Sequence, residues 1–506
     1  MLKGWSGVTL LSKSADMPVA SAESKKSGLL HNALDRPALR PPLSAALGRS
    51  MNSSRSSYLR FLLPIALFAA GAGCCALLVP AEAAAVKQQL FGFPDSDVAS
   101  HQLRPLIVQA LCFLPAFASL LYVMGGTLDR YITRQFAEIF GICLTSLFVI
   151  FLLIDLTNQV PFFSDSPNKL RDLTLFYQAR IPGFLLMLLP YSLLLALLYS
   201  LGKLSGSREI IAMIQAGRSV VRITLPLIFI GLILSLFCLG LNYQWAPTAD
   251  AKALEFRAES KGETLMEATN VLYRNPVDRR LWEVGGFPRD YQFGKPLRNL
   301  EVTTTRSDGT LETRLYAKQA TWNSPDQSWT FLEPVIGEFA RDQAPLFHTI
   351  AENSLTIHGW SETPWQLIKP GLPASQLGVP DLTSWLKSKA PQGQFAIASP
   401  YLTQWHYRWA LPFSCLVTVL LATPLGIYFS RHGASGGIFL AIVLSALMLL
   451  MSNVSLALGE SGILRPMLAA WVSNIFFAIV GLYLFYRRIS GRPIYYFLRQ
   501  LVPGNE

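Results

Sequence analysis

Apolar runs, nearly free of charge, recur along the chain at about 59–80, 104–126, 136–156, 181–201, 223–243, 405–429, 434–458 and 464–486. Each approaches the about 20 residues that a helix needs to cross a bilayer. The pattern therefore predicts a polytopic α-helical membrane protein: six core spans from residue 127 onward, preceded by one or two extra apolar segments. Between the fifth and sixth runs the pattern changes. In "NLEVTTTRSDGTLETRLYAKQATW" apolar and polar positions alternate around the turn "SDG", and "WNSPDQSWTFLEPVIGEF" repeats the alternation around "NSPD". A period of two broken by Gly, Pro, Asn and Asp predicts antiparallel strands, and about 150 residues suffices for one all-β sandwich or barrel. Residues 381–390, "DLTSWLKSKA", read as a short helix leading back to the membrane.

The flanks set the expected orientation. Arg130 and Arg134 precede the run at 136, and Lys203, Arg208, Arg218 and Arg222 face a single acid, Glu209, between 201 and 223. Arg431 follows 429, and Arg487, Arg488, Arg492 and Arg499 form the tail. These groups fall on alternate sides of successive spans, so all are cytoplasmic together, which places the region 244–404 outside. Residues 1–57, rich in Ser, Ala, Pro and basic residues, are expected to be disordered. Residues 59–80 followed by "AEAAA" read either as a signal peptide starting at Met51 or as an uncleaved first span.

Composition narrows the function. Of 506 residues 51% are hydrophobic and 15% charged, against about a quarter charged in a soluble domain. The net charge of +11 follows from the Lys and Arg beside the spans and does not indicate nucleic-acid binding. All six cysteines lie in apolar runs, none at zinc-ligand spacing. There is no P-loop, since "GKLSGS" at 202–207 lacks the upstream glycine and follows a span, and there is no H-E-x-x-H. No cofactor is expected on this chain. In the first core span the acids Glu138 and Asp155 sit at opposite ends, which argues against an ion-coupled carrier or an intramembrane hydrolase.

The segment "KLSGSREIIAMIQAGRSVVRI", 203–223, is too short to span and basic enough to lie at the cytoplasmic surface. Residues 207–218 read as a helix. Ser207 is placed to cap it, Glu209 falls in its first turn, Ile210, Met213, Ile214 and Gly217 share a face, and Gly217 is placed to end it. One account is an interfacial turn that orients its neighbours by charge. The other is a helix that docks, through Arg208 and Glu209, into a groove on a soluble partner.

"SREIIAMIQAGRSVVRI" resembles the coupling-helix motif of the LptF/LptG permeases, the membrane halves of the lipopolysaccharide-export ABC transporter. "LDRYITRQF" at 128–136 looks like the start of that family's first span, more like the G member than the F member. "YRWALPFSCLVTVLLATPLGIYFSRHGASGGIFLAIV" and "LGESGILRPMLAAWVSNIFFAIVGLYLFYRR" resemble its last three spans. The resemblance covers about residues 127–490. It implies spans 1–3 in 127–245, a periplasmic β-jellyroll domain in 246–398, spans 4–6 in 399–490 and a cytoplasmic tail at 491–506; the extra apolar segments in 58–126, signal-like or a transmembrane hairpin, depart from the family's layout. It implies a bacterial inner-membrane permease, not itself an enzyme, paired with a second homologous F-type permease. A cytoplasmic ABC ATPase dimer carrying the ATP and Mg would drive it, and a single-span accessory protein and a periplasmic bridge protein would work with it. Ser207, Arg208, Glu209, Ile210, Met213 and Gly217 then form the ATPase-coupling helix. The spans 136–156 and 434–458 line lateral gates, with Phe140, Leu144, Leu147, Phe151, Asp155, Lys169 and Arg171 along the lipid path.

Basic residues are often found in the G type at the outer end of the first span. Here that place holds Asp155, with Lys169, Arg171 and Arg180 following. The alternative is a membrane-anchored periplasmic interaction or scaffold protein without transport activity, which has no need of a charged helix at 207–218. A membrane enzyme acting on lipid-linked sugars would need carboxylates clustered at one face, and Asp165, Asp172 and Glu460 are scattered.

Overall fold

The structure, a computed structural model, describes residues 43–89, 98–163, 168–260, 266–275, 278–288, 295–323, 326–339, 346–349, 353–368, 371–387, 395–428 and 434–490. The chain divides into two units, 1–59 and 60–506. The described part of the first is helical from Leu43. Its residues 43–57, expected to be disordered, fall within helix α1 (Leu43–Gln89). Residues 1–42 and 491–506 lie outside the described residues.

The second unit continues through α2 (Val98–Met124), α3 (Thr127–Gln159), α4 (Lys169–Gly206), α5 (Glu209–Gln215), α6 (Val220–Tyr243) and α7 (Trp245–Ser260). Strands β1 (Met266–Asn275), β2 (Arg280–Pro288), β3 (Leu297–Thr305), β4 (Leu311–Asn323), β5 (Ser328–Leu332), β6 (Val335–Glu338), β7 (Leu346–Thr349) and β8 (Ser354–His358) follow. The chain returns through α8 (Pro364–Ile368), α9 (Val379–Lys387), α10 (Phe395–Ala410), α11 (Phe413–Gly426), α12 (Ala434–Glu460) and α13 (Pro466–Ile489). Among the described residues seven helices are long and apolar enough to span, and the pair α10–α11, bent by 51°, adds an eighth.

That bend corrects the single run expected over 405–429, and its cause is local. Pro412 has no N–H, so the carbonyl of Arg408 loses its helical donor. The chain tightens there, with Ser414 N donating to Leu411 O, which frees the carbonyl of Ala410 as well. In a bilayer such groups need donors from the protein. Asn242 of α6 donates to Arg408 O at 2.7 Å, and Asn474 of α13 donates to Ala410 O at 2.6 Å. At the other end of α11, Arg488 donates to Pro424 O and Tyr428 to Gly202 O. The helix is enclosed by α4, α6, α12 and α13. It approaches α6 so closely that a Cβ on Gly231 would fall 2.5 Å from Val419.

The β region is one connected antiparallel sheet in the order β1-β2-β3-β4-β5-β8, with β6 and β7 branching off β4. The expected hairpins are both present: β3–β4 around "SDG" and β4–β5 around "NSPD". The thirteen-residue β4 pairs with β6 through Thr313–Tyr316 and with β5 through Gln319–Asn323, so the sheet curls on itself. Trp282, Trp329 and Phe331 fill the enclosed face, and Leu367, Ile368 and Leu382 cover it. Beside them the fully buried Glu362 carboxylate receives Arg280 (2.8 and 3.0 Å) and Asn275 (2.8 Å). The helix expected at 381–390 is α9, which begins at Val379. Its Trp385 stacks on Tyr401 of α10 at 3.7 Å and ties the sheet to the bundle. Helix α7, expected to open the β domain at residue 246, instead packs along α4, because Ala249 and Ala253 offer it a small-residue face.

Replacing Asn474 or Asn242 by Leu leaves a carbonyl unpaired away from water. Each should cost about 1–3 kcal/mol, read as a lower thermal midpoint of the chain in detergent. Asp278 is held below the usual carboxylate range by the Ser361 hydroxyl, helped by Arg280 and Asn275 and opposed by burial. A depressed folded pKa adds stability above the unfolded value of about 3.9, lost as pH falls through the lower folded value. Asp278→Asn should therefore lower the tryptophan-fluorescence unfolding midpoint at pH 7 and flatten its acid dependence below about pH 4.

Candidate functional site

Two places in the bundle concentrate polar groups on an apolar scaffold. The first is the reversal between α4 and α6, at the end opposite the sheet. Ser207 does not cap the short helix as expected. It ends α4, its single hydroxyl proton shared between Lys203 O (3.0 Å) and the Glu209 carboxylate (2.9 Å). Arg208 is the N-cap, in the left-handed region at φ 60°, because the chain must turn from α4 into α5 within two residues. Helix α5 is therefore 209–215, shorter than the expected 207–218. Gly217 ends it as expected, at φ +81°, with Arg218 N donating to Met213 O and Gly217 N to Ile214 O.

Ile210 is fully buried, and Met213 and Ile214 pack beside it into the chain's own core. The face left exposed carries Arg208, Ala212, Gln215, Ala216 and Arg218. Glu209 turns inward and accepts from the Tyr131 hydroxyl of α3 at 2.7 Å. Arg222, at the start of α6, pairs with Asp129 of α3 at 2.8 Å.

The second place is a cavity of about 440 Å³ at the break between α10 and α11, at the end that carries the sheet. Its walls come from Phe151 of α3, Phe184, Met187 and Tyr191 of α4, Ser414 and Thr418 of α11, and Met448 and Ser452 of α12. Toward the other end the bundle closes, because Leu193, Leu197, Leu201 and Leu204 of α4 are fully buried in the core they share with α11. Two arginines reach the cavity. Arg180 binds both oxygens of Asp155 (2.9 and 2.8 Å), lies 3.4 Å from Asp250, and rests on the Phe184 ring at 4.8 Å. Arg408 is buried and donates to the carbonyls of Leu377 and Ser375. It is a charge within the fourth core span, where the sequence reading expected almost none. Among the described residues no group of three or more His, Cys, Asp or Glu could hold a metal.

Residues 130–487, from the first turn of α3 to the last turn of α13, match the family described as lipopolysaccharide export system permease LptF/LptG. The chain belongs to the LptF/LptG family. No curated protein matches it. An LptF/LptG permease serves lipopolysaccharide export and has no ATPase site of its own, and the antiparallel sheet fits the family's jellyroll domain.

Helices α1 and α2 lie outside the matched stretch of this permease, yet α2 is anchored to it. Ser100 O accepts from Tyr243 at 2.8 Å, and the buried His101 lies 3.8 Å from Asp381 of α9. Of the residues expected along the lipid path, Phe151 lines the cavity, and Asp155 sits behind Arg180. Phe140 and Leu144 pack against the core, Leu147 is half-buried on α3, and Lys169 and Arg171 are exposed at the start of α4. The sequence reading passed over Tyr131, Arg408, Asn242 and Asn474. A charge inside an apolar run was the available signal for Arg408. The other three are ordinary residues whose roles depend on distant neighbours.

Gly217→Ala keeps the left-handed position but adds a strained Cβ. It should destabilise the end of α5 by about 1 kcal/mol, seen as roughly fivefold faster amide exchange over 209–218.

Proposed function

We propose that this permease is the half of an inner-membrane ABC transporter that lifts lipopolysaccharide, or a related glycolipid, out of the bilayer and passes it to the β domain in the periplasm. The observation that carries the reading is the cavity: lined by apolar side chains, hydroxyls and two arginines at the end of the bundle that carries the sheet, and closed by leucines toward the other end. At about 440 Å³ it falls in the range of pockets for drug-sized ligands, about 300–1,000 Å³, too small for a lipid with several acyl chains. A second homologous permease, of the F type if this chain is the G type, supplies the facing wall. Helices α3 and α12 line the gates, and both leave their apolar stretches largely unburied, 0% and 17% enclosed. The exposed face of α5 docks on a cytoplasmic ATPase dimer that carries ATP and Mg. An accessory single-span protein and a periplasmic bridge protein complete the route.

The reversal Arg208→Glu with Arg218→Glu, both exposed, should cut the ATPase recovered with the purified permease at least tenfold, and lipid release with it. Unchanged recovery and release would leave the spans as an anchor for the β domain.

A further inference from the structure

The reversal from α4 into α6 is tied to α3 twice, once by Glu209 of α5 and once by Arg222 in the first turn of α6. Tyr131 donates its hydroxyl to Glu209, and Asp129 pairs with Arg222. Glu209 is fixed in turn by Ser207 at 2.9 Å. Immediately beside these ties are the two buried residues of α3, Ile132 and Phe136. From Thr145 to Gln159 no residue of α3 is buried. That far part meets α4 through the Phe151–Phe184 ring pair, with centroids 5.0 Å apart, and through Asp155–Arg180 at 2.8 Å.

This distribution is that of a lever. We propose that α3 pivots on Ile132 and Phe136, that Tyr131–Glu209 drives it from α5 while Asp129–Arg222 couples it to the first turn of α6, and that Asp155–Arg180 latches its far end at the cavity. The proposal rests on the reading that α5 receives a push from an ATPase. At about 1.5 Å per residue, Tyr131 lies about 5 Å to one side of the pivot and Asp155 about 30 Å to the other. A displacement of about 1 Å at α5 thus moves Asp155 by about 6 Å, enough to part an ion pair and swing Phe151 away from the cavity wall. Tyr131 and Asp129 are positioning residues: neither lies on the exposed face of α5 nor lines the cavity. Glu209 acts here as the joint between α5 and α3.

The test uses the full permease complex reconstituted in vesicles with its co-purified ATPase, comparing wild type, Tyr131→Phe, Asp129→Arg, Arg222→Asp and the double swap Asp129→Arg/Arg222→Asp. Three quantities are read: ATPase recovered, ATP hydrolysed, and glycolipid released per ATP. Tyr131→Phe and each single charge reversal should keep ATPase recovery and hydrolysis within twofold while release per ATP falls at least fivefold. The double swap should regain at least half the wild-type ratio. Normal release per ATP in Tyr131→Phe and both single reversals overturns the lever. So does a fall in release that merely follows lost ATPase recovery, since these residues would then shape the docking face. No ATPase recovered with wild type removes the reading beneath it as well.

Discussion

A carbonyl oxygen in the hydrocarbon layer has no water to turn to, and the fold answers that constraint where the fourth core span breaks. Pro412 interrupts the helix, two carbonyls come free, and Asn242 and Asn474 reach in from α6 and α13 to receive them. Those two side chains hold α10 and α11 at their 51° angle. With α11 turned away, space opens between it, α4 and α12, and that space is the cavity. The break, its asparagines and the site are one feature.

The bundle is asymmetric along its axis for a related reason. Helix α4 buries four fully enclosed leucines in the core it shares with α11 at one end, which leaves no room and admits no charge. At the other end it carries Arg180, whose guanidinium is covered by two carboxylates and an aromatic face. A charge near the membrane persists where it is paired and stacked, and both arginines of the cavity obey this, one with acids and one with backbone carbonyls. Polar lining is thereby confined to the end where the sheet stands.

The sheet is held to the bundle by α9 and α10, through Trp385 stacked on Tyr401 and Trp405 bonded to Thr383. Helix α2, outside the family body, adds a third attachment at Asp381. The sheet end encloses a core of its own, whereas α3 buries only Ile132 and Phe136, so the two differ in the burial on which local stability depends.

The sequence by itself determined the spans, the two hairpins and the Gly217 stop, since each rests on local pattern: apolar length, alternation of period two, a residue without Cβ. It also carried the family, because four motifs in order reflect a whole body. Tertiary structure decided the rest. Ser207 proved to end α4, since Arg208 could take the left-handed cap. Glu209 turned inward because Tyr131, 78 positions away, offered a hydroxyl. Asn242, Asn474 and Arg180 gained their roles from partners on other helices. Hydrogen bonds and ion pairs across a bundle depend on packing geometry, which no run of neighbouring residues encodes.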